Sequence, residues 1–193
     1  GENTGKVDGM SDGSYVRMDS NGNFYIMTSS TGNNNDTLIK VNFDKNTSEV
    51  IYTTDMEKLY SLQSDGEYLY FFESTQSRET KSYFTAIDMN GTLKAQYEME
   101  YDEEFLEKAK KYYEQYPEDT SVVVDASGIC VYGIDERYIL MGSNSDSDVY
   151  KNLKSLNSKP YKKVITTGVG VINKMDYLNS GTASIKQIYQ NLS

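Results

Sequence analysis

The sequence predicts a mainly β fold, a propeller-like array of about three four-stranded blades with one inserted amphipathic α-helix and a short C-terminal helix. Three observations point there. Two stretches are near-copies, SNGNFYIMTSS at 20–30 and SDGEYLYFFES at 64–74. Each opens on a dipeptide suited to positive φ, Asn21-Gly22 or Asp65-Gly66, and continues with aromatic and β-branched residues at strand spacing, so each reads as a hairpin. A second strand pair then follows each copy at nearly the same distance, LIKVNFDKNTSEVIYT at 38–53 and FTAIDMNGTLKAQYEM at 84–99. Four strands in roughly 40 to 45 residues is the period of a propeller blade.

Taken in order, residues 1–13 are polar and glycine-rich and read as a flexible lead-in to a single domain over 14–193. Repeat one runs over about 14–54, with SYVRMD as its first strand and GNNND as a loop between hairpins. Repeat two runs over about 57–100, with KLYSLQ and the loop STQSRETKS in the same places. A helical insertion is expected at 101–120, where Phe105, Ala109, Tyr112, Tyr113 and Tyr116 recur on one face and Pro117 stops the run. Acidic residues at 102–104 and lysines at 108, 110 and 111 match the helix dipole.

Repeat three is placed at about 121–166. Its hairpin turn carries Asp135-Glu136 where the second copy has Asp65-Gly66. Beyond it, residues 145–166 admit two readings. Val149, Leu153 and Leu156 have helical spacing, whereas alignment with the earlier repeats makes 150–166 an outer hairpin. In the tail, Ile185, Ile188, Tyr189 and Leu192 share one helical face over 182–192.

A chain of 193 residues is long enough to bury a core without staples. Hydrophobic content is 37%, but 18 Tyr and 6 Phe add apolar area, each tyrosine able to bury its ring and keep its hydroxyl wet. The net charge of −10 argues against nucleic acid or anionic lipid as partner. No apolar run is long enough for a transmembrane segment. Cys130 is the single cysteine and, set in GICVYG, reads as a small hydrophobe. Abundant Asn, Ser, Thr and Tyr with no Trp and no His fit an extracellular or cell-surface bacterial protein.

Several motifs have competing readings. Gly9-Met10-Ser11-Asp12-Gly13 matches a nucleophile elbow, but without histidine a Ser-His-Asp mechanism within one chain is excluded. Gly168-Val169-Gly170-Val171-Ile172-Asn173 resembles a dinucleotide fingerprint but lacks its third glycine, so it reads as a glycine-punctuated strand. No cofactor is expected. Asn144, Asp146 and Asp148 alternate as calcium ligands do, without the glycine and acidic residue that complete such a loop. They read as a turn, with Asp146 and Asp148 as weak candidates for adventitious calcium.

The segment AIDMNGTLKAQY resembles the Y-x-I-D-x-x-T-G-x outer hairpin of bacterial TolB-like and quinoprotein-like propeller repeats, and SDGEYLYFF is similar to their inner hairpin. The resemblance covers about 14–100 well and 121–166 poorly. It implies an architecture that hosts binding proteins, scaffolds and enzymes alike, and it transfers no catalytic residue. The function expected is a non-enzymatic binding or interaction module of a secreted or surface-anchored bacterial protein, taking a protein or carbohydrate ligand. Alternatives are a carbohydrate-active enzyme using paired carboxylates and a structural segment of a larger surface protein. Ligand-facing rings are sought among Tyr25, Tyr68, Tyr70 and Tyr138, with packing between sheets as the competing role. Three blades do not close a propeller, so a homo-oligomer or further blades in a longer chain are the expected completions.

Overall fold

The computed structural model describes residues 16–28, 35–75, 81–99, 103–118, 129–143, 168–180 and 186–190. These residues form three four-stranded antiparallel sheets. Sheet 1 is β1 (Val16–Met18), β2 (Asn23–Thr28), β3 (Thr37–Asn42) and β4 (Thr47–Thr53). Sheet 2 is β5 (Lys58–Ser64), β6 (Tyr68–Ser74), β7 (Ser82–Asp88) and β8 (Leu93–Glu98). Sheet 3 is β9 (Ile129–Ile134), β10 (Tyr138–Ser143), β11 (Gly168–Asn173) and β12 (Lys186–Gln190). In each sheet successive strands are neighbours, so all three are up-and-down meanders. Helix α1 (Glu103–Gln115) joins sheets 2 and 3, and α2 (Lys174–Ser180) follows β11. No helix among the described residues is long and apolar enough to cross a membrane.

Turn chemistry repeats from sheet to sheet. At the first turn of each, an aspartate accepts two backbone N–H groups just downstream, in the manner of an Asx turn. Asp19 accepts from Asn21 and Asn23 at 2.8 and 3.0 Å. Asp65 accepts from Glu67 and Tyr68 at 3.0 and 2.8 Å, and Asp135 from Arg137 and Tyr138 at 2.7 and 2.6 Å. A second staple ends the third strand of each sheet. Asn42 accepts from the N–H of Lys45, Asp88 from those of Asn90 and Thr92, and Asn173 from that of Asp176. In sheet 3 that same position caps α2.

Strand alternation then sends side chains to two cores. Leu69, Phe71 and Ile87 of sheet 2 pack with Tyr25, Met27 and Leu38 of sheet 1. Tyr70, Phe72, Phe84 and Ala86, on the opposite face, pack with Val131, Ile139, Met141 and Ile172 of sheet 3 and Tyr177 of α2. Sheet 2 is therefore shared. The first strands of the three sheets are also tied in a row. Arg17 donates to Gln63 at 3.0 Å, and Gln63 donates to the Val131 carbonyl at 3.1 Å. A register shift between Tyr60 and Gln63, with Ser61 at φ 59°, lets the Ser61 hydroxyl accept from the Val131 N–H at 3.0 Å.

The short C-terminal helix expected over 182–192 is not formed where the tail is described. Residues 186–190 are β12, paired antiparallel with β11. Ile188 and Tyr189 suit a strand as well as a helical face, and backbone pairing along the open edge of β11 outweighs the helical spacing. Sheet 3 accordingly takes its outer strands from 168–173 and 186–190, past the bound at 166. The hairpin or helix considered for 145–166 lies outside the described residues. The fingerprint-like GVGVIN is a strand, with a register shift between Val169 and Gly170. Helix α1, Glu103–Gln115, forms inside the insertion expected at 101–120. Tyr113 is buried and Tyr112 half-buried, but Tyr116 is 44% exposed and falls outside the packed face. The side chains of Phe105 and Ala109 lie outside those described.

Candidate binding site

The end of the array that carries the aspartate turns gathers most of the predicted tyrosines, and the turn staples decide their orientation. In β2 and β6, Tyr25 and Tyr70 are fully buried. Their hydroxyls bond back to the turns, Tyr25 to Asp19 at 3.0 Å and Tyr70 to Asp65 at 2.8 Å. Both rings serve packing between sheets, and burial together with the adjacent carboxylate pushes each hydroxyl above its ordinary pKa. Tyr68 is half-buried, its ring centroid 6.4 Å from that of Tyr70. Tyr138 is 41% exposed, with the Arg137 guanidinium 5.6 Å from its ring centroid. Asp146 and Asp148 lie outside the described residues.

Tyr68, Tyr70 and Tyr138 are linked across two sheets. Lys174, at the start of α2, bonds through its N–H to the Arg137 carbonyl at 2.8 Å. Its ammonium reaches Asp65 of sheet 2 at 3.1 Å. Burial would raise the Asp65 carboxyl, but the N–H groups of Tyr68 and Glu67, the Tyr70 hydroxyl and Lys174 together hold it below its ordinary value. Tyr25 occupies the corresponding place in sheet 1, facing the other junction.

No protein-family model and no curated protein matches the chain. The site is therefore read from its own chemistry. Asp65 was read from the sequence only as a turn residue, and Arg137 and Lys174 were not singled out. The legible signal was the aspartate placed three or four residues before an aromatic or asparagine in each copy, Asp19, Asp65 and Asp135. Lys174 gave none, because its partner is 109 positions away.

A second polar cluster lies inside the junction of sheets 1 and 2. Glu73 is 1% exposed and sits on the same face of β6 as Leu69 and Phe71. Its carboxylate accepts from Tyr52 at 3.0 Å, Thr54 at 2.6 Å and Gln96 at 2.9 Å, and closely from Thr85. Four donors from three strands and the link after β4 thus surround one buried acid. A charged residue at an apolar-face position of a strand was the sequence signal for it. Nearby, Asp36 accepts from Lys58 at 3.2 Å and from the Leu59 N–H at 3.1 Å, fastening the start of β5 to sheet 1. Among the described residues no group of three or more acidic, cysteine or histidine side chains is arranged to hold a metal ion.

Proposed function

We propose that the three sheets are blades of a propeller-like array of the TolB-like or quinoprotein-like kind. In this reading the array is a non-enzymatic binding module of a secreted or surface-anchored bacterial protein. The blade reading is supported by the row of first strands, Arg17 to Gln63 to Val131, which would form the inner wall. The binding reading is carried by one observation. A stapled end spanning two sheets presents Tyr138 beneath Arg137, beside the Lys174–Asp65 ion pair and the half-buried Tyr68.

Such a surface offers an accessible ring face, a cation and fixed hydrogen-bonding groups, which suits a sugar ring or an extended peptide with polar side chains. The turn carboxylates are hydrogen-bond anchors. Asp19, Asp65, Asp88 and Asp135 are all held below their ordinary range by nearby donors, so none of these four is poised to give a proton.

The test is a glycan array and a peptide array probed with the full chain, each hit then measured by calorimetry. Tyr138→Ala and Tyr68→Ala should weaken a genuine ligand at least tenfold, while Tyr116→Ala on α1 leaves it unchanged. Hits insensitive to both site variants would refute the assignment.

A further inference from the structure

The face of sheet 3 turned away from sheet 2 carries two exposed tyrosines, and only Tyr138 belongs to the site above. Ile139 and Met141 of β10 point into the core shared with sheet 2, so Tyr138 and Leu140 take the other face. In β9, Val131 and Ile134 both lie against that core although they are three residues apart. A register shift opposite Leu140 and Met141 accommodates the odd spacing. It leaves the two residues between, Tyr132 and Gly133, on the outer face with Tyr138. Tyr132 is 53% exposed and Tyr138 41%.

The backbone between the two rings is bare. Gly133 is in register with Leu140, and a Cβ built on it would meet no atom within 4 Å. Since Ile139 is in register with Ile134, Tyr138 stands across from Asp135, three positions along the chain from Tyr132 and about 10 Å away at the rise of a strand. The half-buried Leu140 and Val171, paired between β10 and β11, lie on the same face. Polar groups stand at its Tyr138 end. The Arg137 guanidinium is 5.6 Å from the Tyr138 ring centroid, and Asn173, in register with Tyr138, uses its Oδ1 on the Asp176 N–H and keeps its amide NH2 as a donor.

This arrangement selects among ligands. Two exposed rings with open backbone between them suit successive sugar rings, whose C–H faces stack on the negative face of an aromatic ring. An extended peptide would instead be held by pairing with a strand edge. At β9, an edge strand of sheet 3, the Val131 N–H and carbonyl are already engaged by Ser61 and Gln63. Charge narrows the sugar further. Arg137 shares its turn with Asp135 and the exposed Glu136, and the chain carries −10 in all, so no net positive field awaits an acidic polysaccharide.

We propose that Tyr132 and Tyr138 form a two-ring platform for a neutral oligosaccharide, which lies along the outer face of sheet 3 across Gly133, with Arg137 and Asn173 donating to its hydroxyl groups at one end. The proposal rests on the binding reading above and gives it a ligand class and a second ring.

Calorimetry of the full chain with cellohexaose, chitohexaose and maltohexaose, and with hexagalacturonate as the charged counterpart, tests it. At least one neutral hexamer should bind, and more tightly than hexagalacturonate. Tyr132→Ala should weaken that hexamer at least tenfold. Gly133→Gln should do the same by standing between the rings, at a position whose φ lies outside the left-handed region and whose Cβ has room. Both variants should keep the circular dichroism of the wild type, and Tyr116→Ala should bind as the wild type does. No binding of any neutral hexamer at millimolar concentration, or a preference for hexagalacturonate, overturns the proposal. Loss of binding in Tyr138→Ala but not in Tyr132→Ala or Gly133→Gln overturns the platform and leaves the reading above in place, whereas binding indifferent to Tyr138→Ala removes both.

Discussion

Gly66 and Gly91 both sit at turns with positive φ, 93° and 88°, yet a methyl group would meet very different surroundings at the two. At Gly66 nothing lies within 4 Å of an added Cβ, so Gly66→Ala costs only the left-handed backbone term, about 1 to 2 kcal/mol. At Gly91 the added Cβ would lie 1.9 Å from the Ile51 carbonyl oxygen, because this turn of sheet 2 presses on β4 of sheet 1. Backbone must move there, and Gly91→Ala should cost roughly 3 kcal/mol or more. Urea unfolding of the two variants checks the ordering, and equal losses would mean that the turn does not touch sheet 1. The aspartate staples carry the pH dependence. Asp19, Asp65, Asp88 and Asp135 are all depressed in the fold, so their stabilisation is complete above the unfolded value of about 3.9 and is lost as pH falls through the lower folded values. The urea midpoint should be flat from pH 7 to about 5 and drop steeply below 4. Asp65→Asn should lower stability at pH 7 and flatten that drop, and a midpoint as steep as that of the wild type would exclude Asp65 as a contributor.

Among the elements, α2 shows how a turn position becomes a docking device. Asn173 stands where Asp88 stands in sheet 2, but Lys174–Ser180 continue as a helix whose Tyr177 is fully buried against sheet 2. Its ring stacks on Phe84 at 4.9 Å, and its hydroxyl donates to the carbonyl of Phe84 at 2.7 Å and approaches that of Ala95 at 3.3 Å. Tyr177→Phe keeps the ring and leaves those carbonyls without the donor, which should cost about 1 to 2 kcal/mol in thermal or urea unfolding. Tyr177→Ala should cost about 3 to 5 kcal/mol. Near-equal losses would show that the hydroxyl, and not the ring, seats the helix. This element was invisible in the sequence because KMDYLNS is too short for a helical period to register, and its anchor is 93 positions from Phe84. The strands of sheets 1 and 2 were legible because all but the three-residue β1 run over six or seven residues and two copies could be laid side by side. The tail misled because Ile185, Ile188, Tyr189 and Leu192 satisfy a helical spacing, while the open edge of β11 that selects a strand exists only after folding. The site was half legible. The tyrosines stood out by composition, but the division between Tyr70 inside and Tyr138 outside depends on which sheet has a neighbour on that face.

At the scale of the molecule, sheet 2 is the part on which the other two depend. Both cores are built on it, Leu69, Phe71 and Ile87 toward sheet 1 and Tyr70, Phe72 and Phe84 toward sheet 3. Since alternate residues of β6 belong to different cores, neither core can loosen without disturbing the strand that supports the other. Tyr52 and Thr54 of the sheet 1 side donate to Glu73 of sheet 2, a polar tie across the junction, while Thr85 and Gln96 of sheet 2 complete the shell around the same buried side chain. The three described sheets should therefore unfold together. Tyrosine fluorescence, far-ultraviolet circular dichroism and calorimetry should give one coincident transition. Leu69→Ala, on the face toward sheet 1, and Phe84→Ala, on the face toward sheet 3, should each move that whole transition by about 3 to 5 kcal/mol. If Leu69→Ala instead split off an early transition that left the signal of sheet 3 in place, sheet 1 would be an independently stable unit, and the coupling through β6 assigned here would be wrong.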